Sequence, residues 1–72
     1  MNTERIFNLV MMDMSVDKLK IEDDLERVIN DTNIDIDTKV TTVKKLLYEL
    51  SNTENAITTF SNIINNNNKK EN

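Results

Sequence analysis

The chain contains no cysteine, no histidine, no glycine, no proline and no tryptophan, and its only aromatic residues are two phenylalanines and one tyrosine. Each absence excludes something. Without cysteine there is no disulfide, and without cysteine or histidine the usual zinc ligands are missing. The same two absences remove the thiolate nucleophile and the imidazole base. Ser15, Ser51 and Ser61 have no partner base nearby in sequence and read as caps or surface residues. No enzyme activity, cofactor or metal is therefore expected.

The lack of glycine argues against tight hairpins with primed turns, and so against a meander or a barrel. A chain without glycine or proline suits long helices joined by a polar corner. No run of about 18 apolar residues exists, so no membrane span is expected. The apolar run Ile6–Val16 follows a single Arg5, contains Asp13 and lacks a small-residue cleavage site, which speaks against a secretory signal. The expected compartment is the cytoplasm, or a host's cytoplasm for a phage product. That last association comes from the abundance of Asn, Ile and Lys, which matches an AT-rich coding sequence of a low-GC bacterium or its phage.

What is present is helical periodicity. Residues 4–30 read as one helix: Phe7, Val10, Met14, Ile21, Leu25 and Val28 recur at spacings of three, four or seven, with Asp17 and Lys18 as the polar gap. Asn2 or Thr3 can cap its start, with Glu4 suited to the positive end of the dipole. A second stripe, Leu9, Met12, Val16 and Leu19, follows helical spacing on another face. A break at Ser15 is the alternative to a continuous helix. Residues 38–64 read as a second helix, with Val40, Val43, Leu47, Leu50, Ile57 and Ile64 in a coiled-coil-like register widened by Leu46, Phe60 and Ile63. Glu54 interrupts that stripe, and Ser51 to Glu54 has the form of a capping box, which admits a break there. Tyr48 is expected at the edge of the seam with its hydroxyl in water. The tail, residues 65–72, has no apolar side chain and is expected to be disordered.

Between the helices lies the acidic stretch "DTNIDIDTKV", residues 31–40. Asp31, Asp35 and Asp37 do not have the spacing of a calcium loop, and the glycine and closing glutamate of such a loop are absent. A strand with alternating Ile34 and Ile36 has no partner to pair with. A corner over 31–37 accounts for every residue: Asp31 and Asn33 form the turn, Asp35 or Asp37 caps the second helix, and Ile34 and Ile36 fold over the end of the bundle. The acids Glu22, Asp23, Asp24 and Glu26 alternate around the first helix and read as a solvated face.

The expected fold is all-α: an antiparallel two-helix hairpin assembling into a homo-oligomeric bundle, most simply an antiparallel four-helix dimer. With 72 residues the core is small, and association is the remaining way to support it. The expected function is a small non-enzymatic protein-interaction module: a regulator, inhibitor or assembly chaperone. Its expected interface is Phe7, Leu9, Val10, Met11, Met12, Met14, Val16 and Leu19, because methionine serves adaptable surfaces. The expected partners are the chain itself and a host or assembly protein. The other reading is a dimeric hairpin binding nucleic acid or a nucleotide through Lys39, Lys44 and Lys45. Dimerising two-helix hairpins also serve as plasmid-type RNA-binding regulators, an analogy of fold with no residue motif behind it. A net charge of -4 without a basic stripe argues against nucleic acid as the partner.

Overall fold

A computed structural model describes residues 3–70. They form two helices, α1 (Thr3–Asn30) and α2 (Ile36–Lys70), packed side by side as an antiparallel hairpin. Both are continuous: Ser15 and Ser51 are ordinary helical positions. The hairpin is a rod of 56 × 16 × 14 Å.

The seam is built from strict heptads. On α1 the covered positions are Phe7, Met11, Met14, Lys18, Ile21, Leu25 and Val28. On α2 they run from Lys39 through Val43, Leu46, Leu50, Thr53, Ile57 and Phe60 to Ile64 and Asn67. Steps of four and three residues keep each set on one face, the condition for two helices to stay in contact along their length. Two contacts fix the register. The rings of Phe7 and Phe60 meet edge to face with centroids 5.5 Å apart, and the Lys39 ammonium donates to the Ile29 carbonyl at 2.9 Å.

This seam differs from the sequence reading in three places. Met11, not Val10, holds the α1 position between Phe7 and Met14, and Val10 sits on the shoulder. On α2, Val40, Leu47 and Ile63 are exposed while Lys39 and Leu46 take the inner positions. Tyr48 is exposed on the outer side of α2, away from the seam. At Lys39 the cause is that lysine carries an apolar stem that can lie along a seam with its charge at the rim. Counting only apolar residues therefore shifts the apparent stripe.

The two polar gaps of the sequence turn out to be one layer. Lys18 enters the α1 side of the seam, and its Nζ lies 3.4 Å from the Glu54 carboxylate at the rim of α2.

The corner is fixed by local hydrogen bonds. The Asn33 amide donates to the Asp31 carboxylate at 2.8 Å, a turn in which the side chain mimics backbone. The Thr38 amide donates to the Asp35 carboxylate at 3.0 Å, and the Lys39 amide donates to the Asp35 carbonyl at 3.0 Å. Asp35 is thus the N-cap of α2, and Asp37 lies in its first turn. Lys39, through Ile29, satisfies one of the carbonyls left open at the end of α1. Among the described residues none has positive φ, so the corner makes no demand for glycine. Ile34 is half-buried over the end of the seam, whereas Ile36 points into solvent.

Hydrogen bonds from Thr38 hold the Asp35 carboxyl below its ordinary value of 3.8. A lowered folded-state pKa means that the cap stabilises the fold fully above the unfolded value. That increment is lost as pH falls through the folded value. Asp35→Ala is expected to lower the melting midpoint by roughly 4–8 °C at neutral pH. The gap between parent and variant should close on acidification below the ordinary carboxylate range. Thermal melts of the two proteins across pH check both statements; a gap independent of pH removes the charged cap.

α2 does not stop at Ile64 but continues through the asparagines to Lys70. Asparagine is a poor helix former, yet extending an existing helix avoids the nucleation cost. Residues 65–70 therefore differ from the expected disordered tail. The expectation for 71–72, and the cap suggested at Asn2, fall outside the described residues.

Candidate functional site

The hairpin has almost no interior. Leu25, 8 % exposed, is the one buried hydrophobic side chain among the described residues. A pair of helices covers one face of each and leaves the remainder to solvent. What α1 leaves open is not polar. Leu9, Met12, Val16 and Leu19 are exposed by 53, 63, 46 and 60 %. At 100° per residue their stripe is centred roughly 160° around the helix from the seam, nearly opposite α2. Their steps of three, four and three are again heptad steps. The first two-thirds of α1 therefore carries two apolar seams back to back, one filled and one open.

The residues expected at an interface divide accordingly. Phe7, Met11 and Met14 face α2 and serve the intramolecular seam. Leu9, Met12, Val16 and Leu19 face away from it. Val10 lies on a shoulder, 37 % exposed, where it lines a shallow groove with Ala56, Phe60 and Ile63. That groove continues past Asn52 toward the corner, where Asp17, Lys20 and Glu49 border it. On the opposite shoulder Ile29, Val40 and Leu47 are exposed near the corner, followed toward the open end by Asn8, Ser15 and Ser61. The sequence shows both α1 stripes, and the row through Leu9, Met12, Val16 and Leu19 is the one that reads as the additional face.

The three lysines do not form a patch within the chain. Lys39 is committed to the Ile29 carbonyl on the seam. Lys44 and Lys45 are exposed and line the outer side of α2 with Tyr48 and Glu49. No cluster of three acidic or other metal-ligating side chains is placed to hold an ion among the described residues. No described helix is long and apolar enough to cross a membrane.

The open stripe has charged ends of opposite sign. One heptad step before Leu9 on the same face stands Arg5, and beyond Leu19 stand Asp23 and Glu26. Arg5 already has an interaction within its own chain, and a guanidinium has five donors with which to serve more than one acceptor. Comparison with known protein families, with curated proteins and with solved structures finds no match for this chain.

Proposed function

We propose that the protein is a non-enzymatic interaction module, a small regulator, inhibitor or assembly chaperone, that docks through the outer stripe of α1. It would act in the cytoplasm, that of a host where the chain is phage-encoded. The observation that supports this reading is the exposed Leu9, Met12, Val16 and Leu19 row on a helix whose opposite face is already occupied. Scattered apolar side chains on a surface need no explanation, but a contiguous row with heptad spacing is the form of a helix-in-groove or helix-on-helix contact. Met12 at its middle supplies an adaptable, polarizable contact. The phosphate-binding reading is not proposed, because Lys39 is turned away from Lys44 and Lys45.

Met12→Glu combined with Val16→Glu tests the docking face. Neither side chain contributes to the seam, so circular dichroism should show helicity within about a tenth of the parent. Association measured by light scattering, or retention of a partner in pull-downs, should fall by at least tenfold, because two carboxylates would have to be desolvated at the contact. A double variant that matches the parent in both measurements removes this stripe as an interface.

A further inference from the structure

We propose that the occupant of the open stripe is a second copy of the same chain, its α1 laid antiparallel on α1 about a two-fold axis. Leu9 then meets Leu19 of the other copy, Met12 meets Val16, and Arg5 meets Asp23. This rests on the reading of the stripe as a docking surface and names what covers it.

Four observations carry it. The first is that the row is nearly palindromic. Leu9 and Leu19 close the row at its two ends, so reversed in direction it sets leucine on leucine there and pairs Met12 with the smaller Val16 twice about the axis. A two-fold interface requires such self-complementarity: if one residue contacts a second, the second must contact the first.

The second observation is the charge. Arg5 precedes the row and Asp23 follows it by equal heptad steps. Antiparallel pairing sets an arginine against an aspartate at both ends. Parallel pairing would set arginine on arginine and aspartate on aspartate, which costs stability. On one shoulder Asp13 stands beside the axis and faces its own counterpart, a like-charge contact flanked by Lys20 of each copy. On the other, Ser15 lies next to the axis and is small enough to admit the close approach.

The third is that the other surfaces fail the same symmetry. The groove lined by Val10, Ala56 and Ile63 is apolar at the open end and charged toward the corner, where Asp17, Lys20 and Glu49 line it. A copy laid end over end would set apolar surface on these charged side chains. The opposite shoulder has Ile29, Val40 and Leu47 at the corner end only, and would meet Asn8 and Ser15.

The fourth is area. Four aliphatic side chains at about half exposure or more, doubled by the second copy and widened by their shoulders, bury roughly 1,000 Å² in total, the lower limit of specific interfaces. The pair is therefore reversible, with an expected dissociation constant in the micromolar range.

The geometry of the assembly follows. Since the open stripe lies opposite α2, the pair is a single layer of four helices in the order α2, α1, α1, α2.

The chain has no cysteine, so introduced ones report unambiguously. Leu9→Cys and Leu19→Cys proteins, mixed and mildly oxidised, should give the mixed disulfide dimer several-fold in excess of either self-linked dimer. Disulfides require Cα atoms within about 7 Å. Sedimentation of the unmodified chain at up to several hundred micromolar should show a monomer–dimer equilibrium, weakened at least tenfold by Leu19→Glu with helicity retained. A chain that stays monomeric, a dimer that survives Leu19→Glu, or a Leu9→Cys protein that links to itself as readily as to Leu19→Cys each overturns the proposal. If the chain is monomeric while Met12→Glu/Val16→Glu abolishes retention of a different protein, self-pairing falls and the docking surface stands. If that double variant changes nothing either, both fall.

Discussion

Leu25→Ala is expected to leave the hairpin largely unfolded at room temperature. Leu25 is the most enclosed side chain described, and the register set by Phe7–Phe60 and Ile29–Lys39 places it opposite Val43. Truncating a buried leucine removes its transfer free energy and leaves a void, about 2–5 kcal/mol in all. A domain of this size rarely holds more than about 3–5 kcal/mol in its core. The two quantities are comparable, so one truncation consumes most of the stability. Leu19→Ala, the same chemical change on the open stripe, should shift an isolated chain by no more than about 0.5 kcal/mol. Urea melts followed by circular dichroism, at concentrations low enough to suppress association, separate the two. If Leu25→Ala and Leu19→Ala melt together, the seam is not what holds the helices side by side.

Lys18→Leu is expected to act in the other direction and raise the melting midpoint. Lys18 occupies a seam position, and its pairing with Glu54 at 3.4 Å is made at the rim, where the two side chains are 37 and 49 % exposed. An ion pair in that setting contributes about 0–1 kcal/mol. A leucine at the same position would bury apolar area between Met14 and Ile21, a gain on the order of 1–2 kcal/mol. The net rise is about 1 kcal/mol, or roughly 4–8 °C for a domain of this length. The gain has a cost in uniqueness, because a single polar layer is a device that fixes register and partner number. The variant should accordingly show concentration-dependent species beyond those of the parent in sedimentation. A melting midpoint below that of the parent would mean that the Lys18–Glu54 pair outweighs burial and that position 18 is not a seam position.

Much of this was legible in the residues. The absence of glycine and proline together with heptad spacing suffices for two helices, though not for their continuity across Ser15 and Ser51, and the run from Asp31 to Asp37 suffices for a corner with an aspartate cap. The choice between Asp35 and Asp37 was not legible, because both precede an apolar-periodic segment and either can reach an open amide. The assignment of faces was harder. On α1 two rows obey the same spacing, and the main one was legible through Phe7, Met14, Ile21, Leu25 and Val28 despite its gap at Lys18, with Val10 read in the place that Met11 holds. On α2 the row through Val40 and Leu47 is as apolar as the one through Val43 and Leu46. Only the packing of the two helices, visible in Phe7 against Phe60, selects between them. The pairing of Lys18 with Glu54 joins residues far apart in sequence, each visible alone as a flaw in a stripe. The continuation of α2 to Lys70 escaped notice because composition reports the propensity of a segment and not the helix it is attached to.

The corner has a further consequence, for the order in which the chain closes. Ile29 and Lys39 meet across a short loop, whereas Phe7 and Phe60 meet only once nearly the whole polypeptide has been drawn together. Loop-closure entropy grows with the length enclosed, so the helices zip from the corner outward, each layer shortening the loop that the next must close. The rings of Phe7 and Phe60 come together last and part first. The segment of α1 from Leu9 to Leu19 lies in this late-closing half. Until it closes, both of its greasy sides are bare at once, which makes it the point where nascent or refolding chains stick to one another before they have folded.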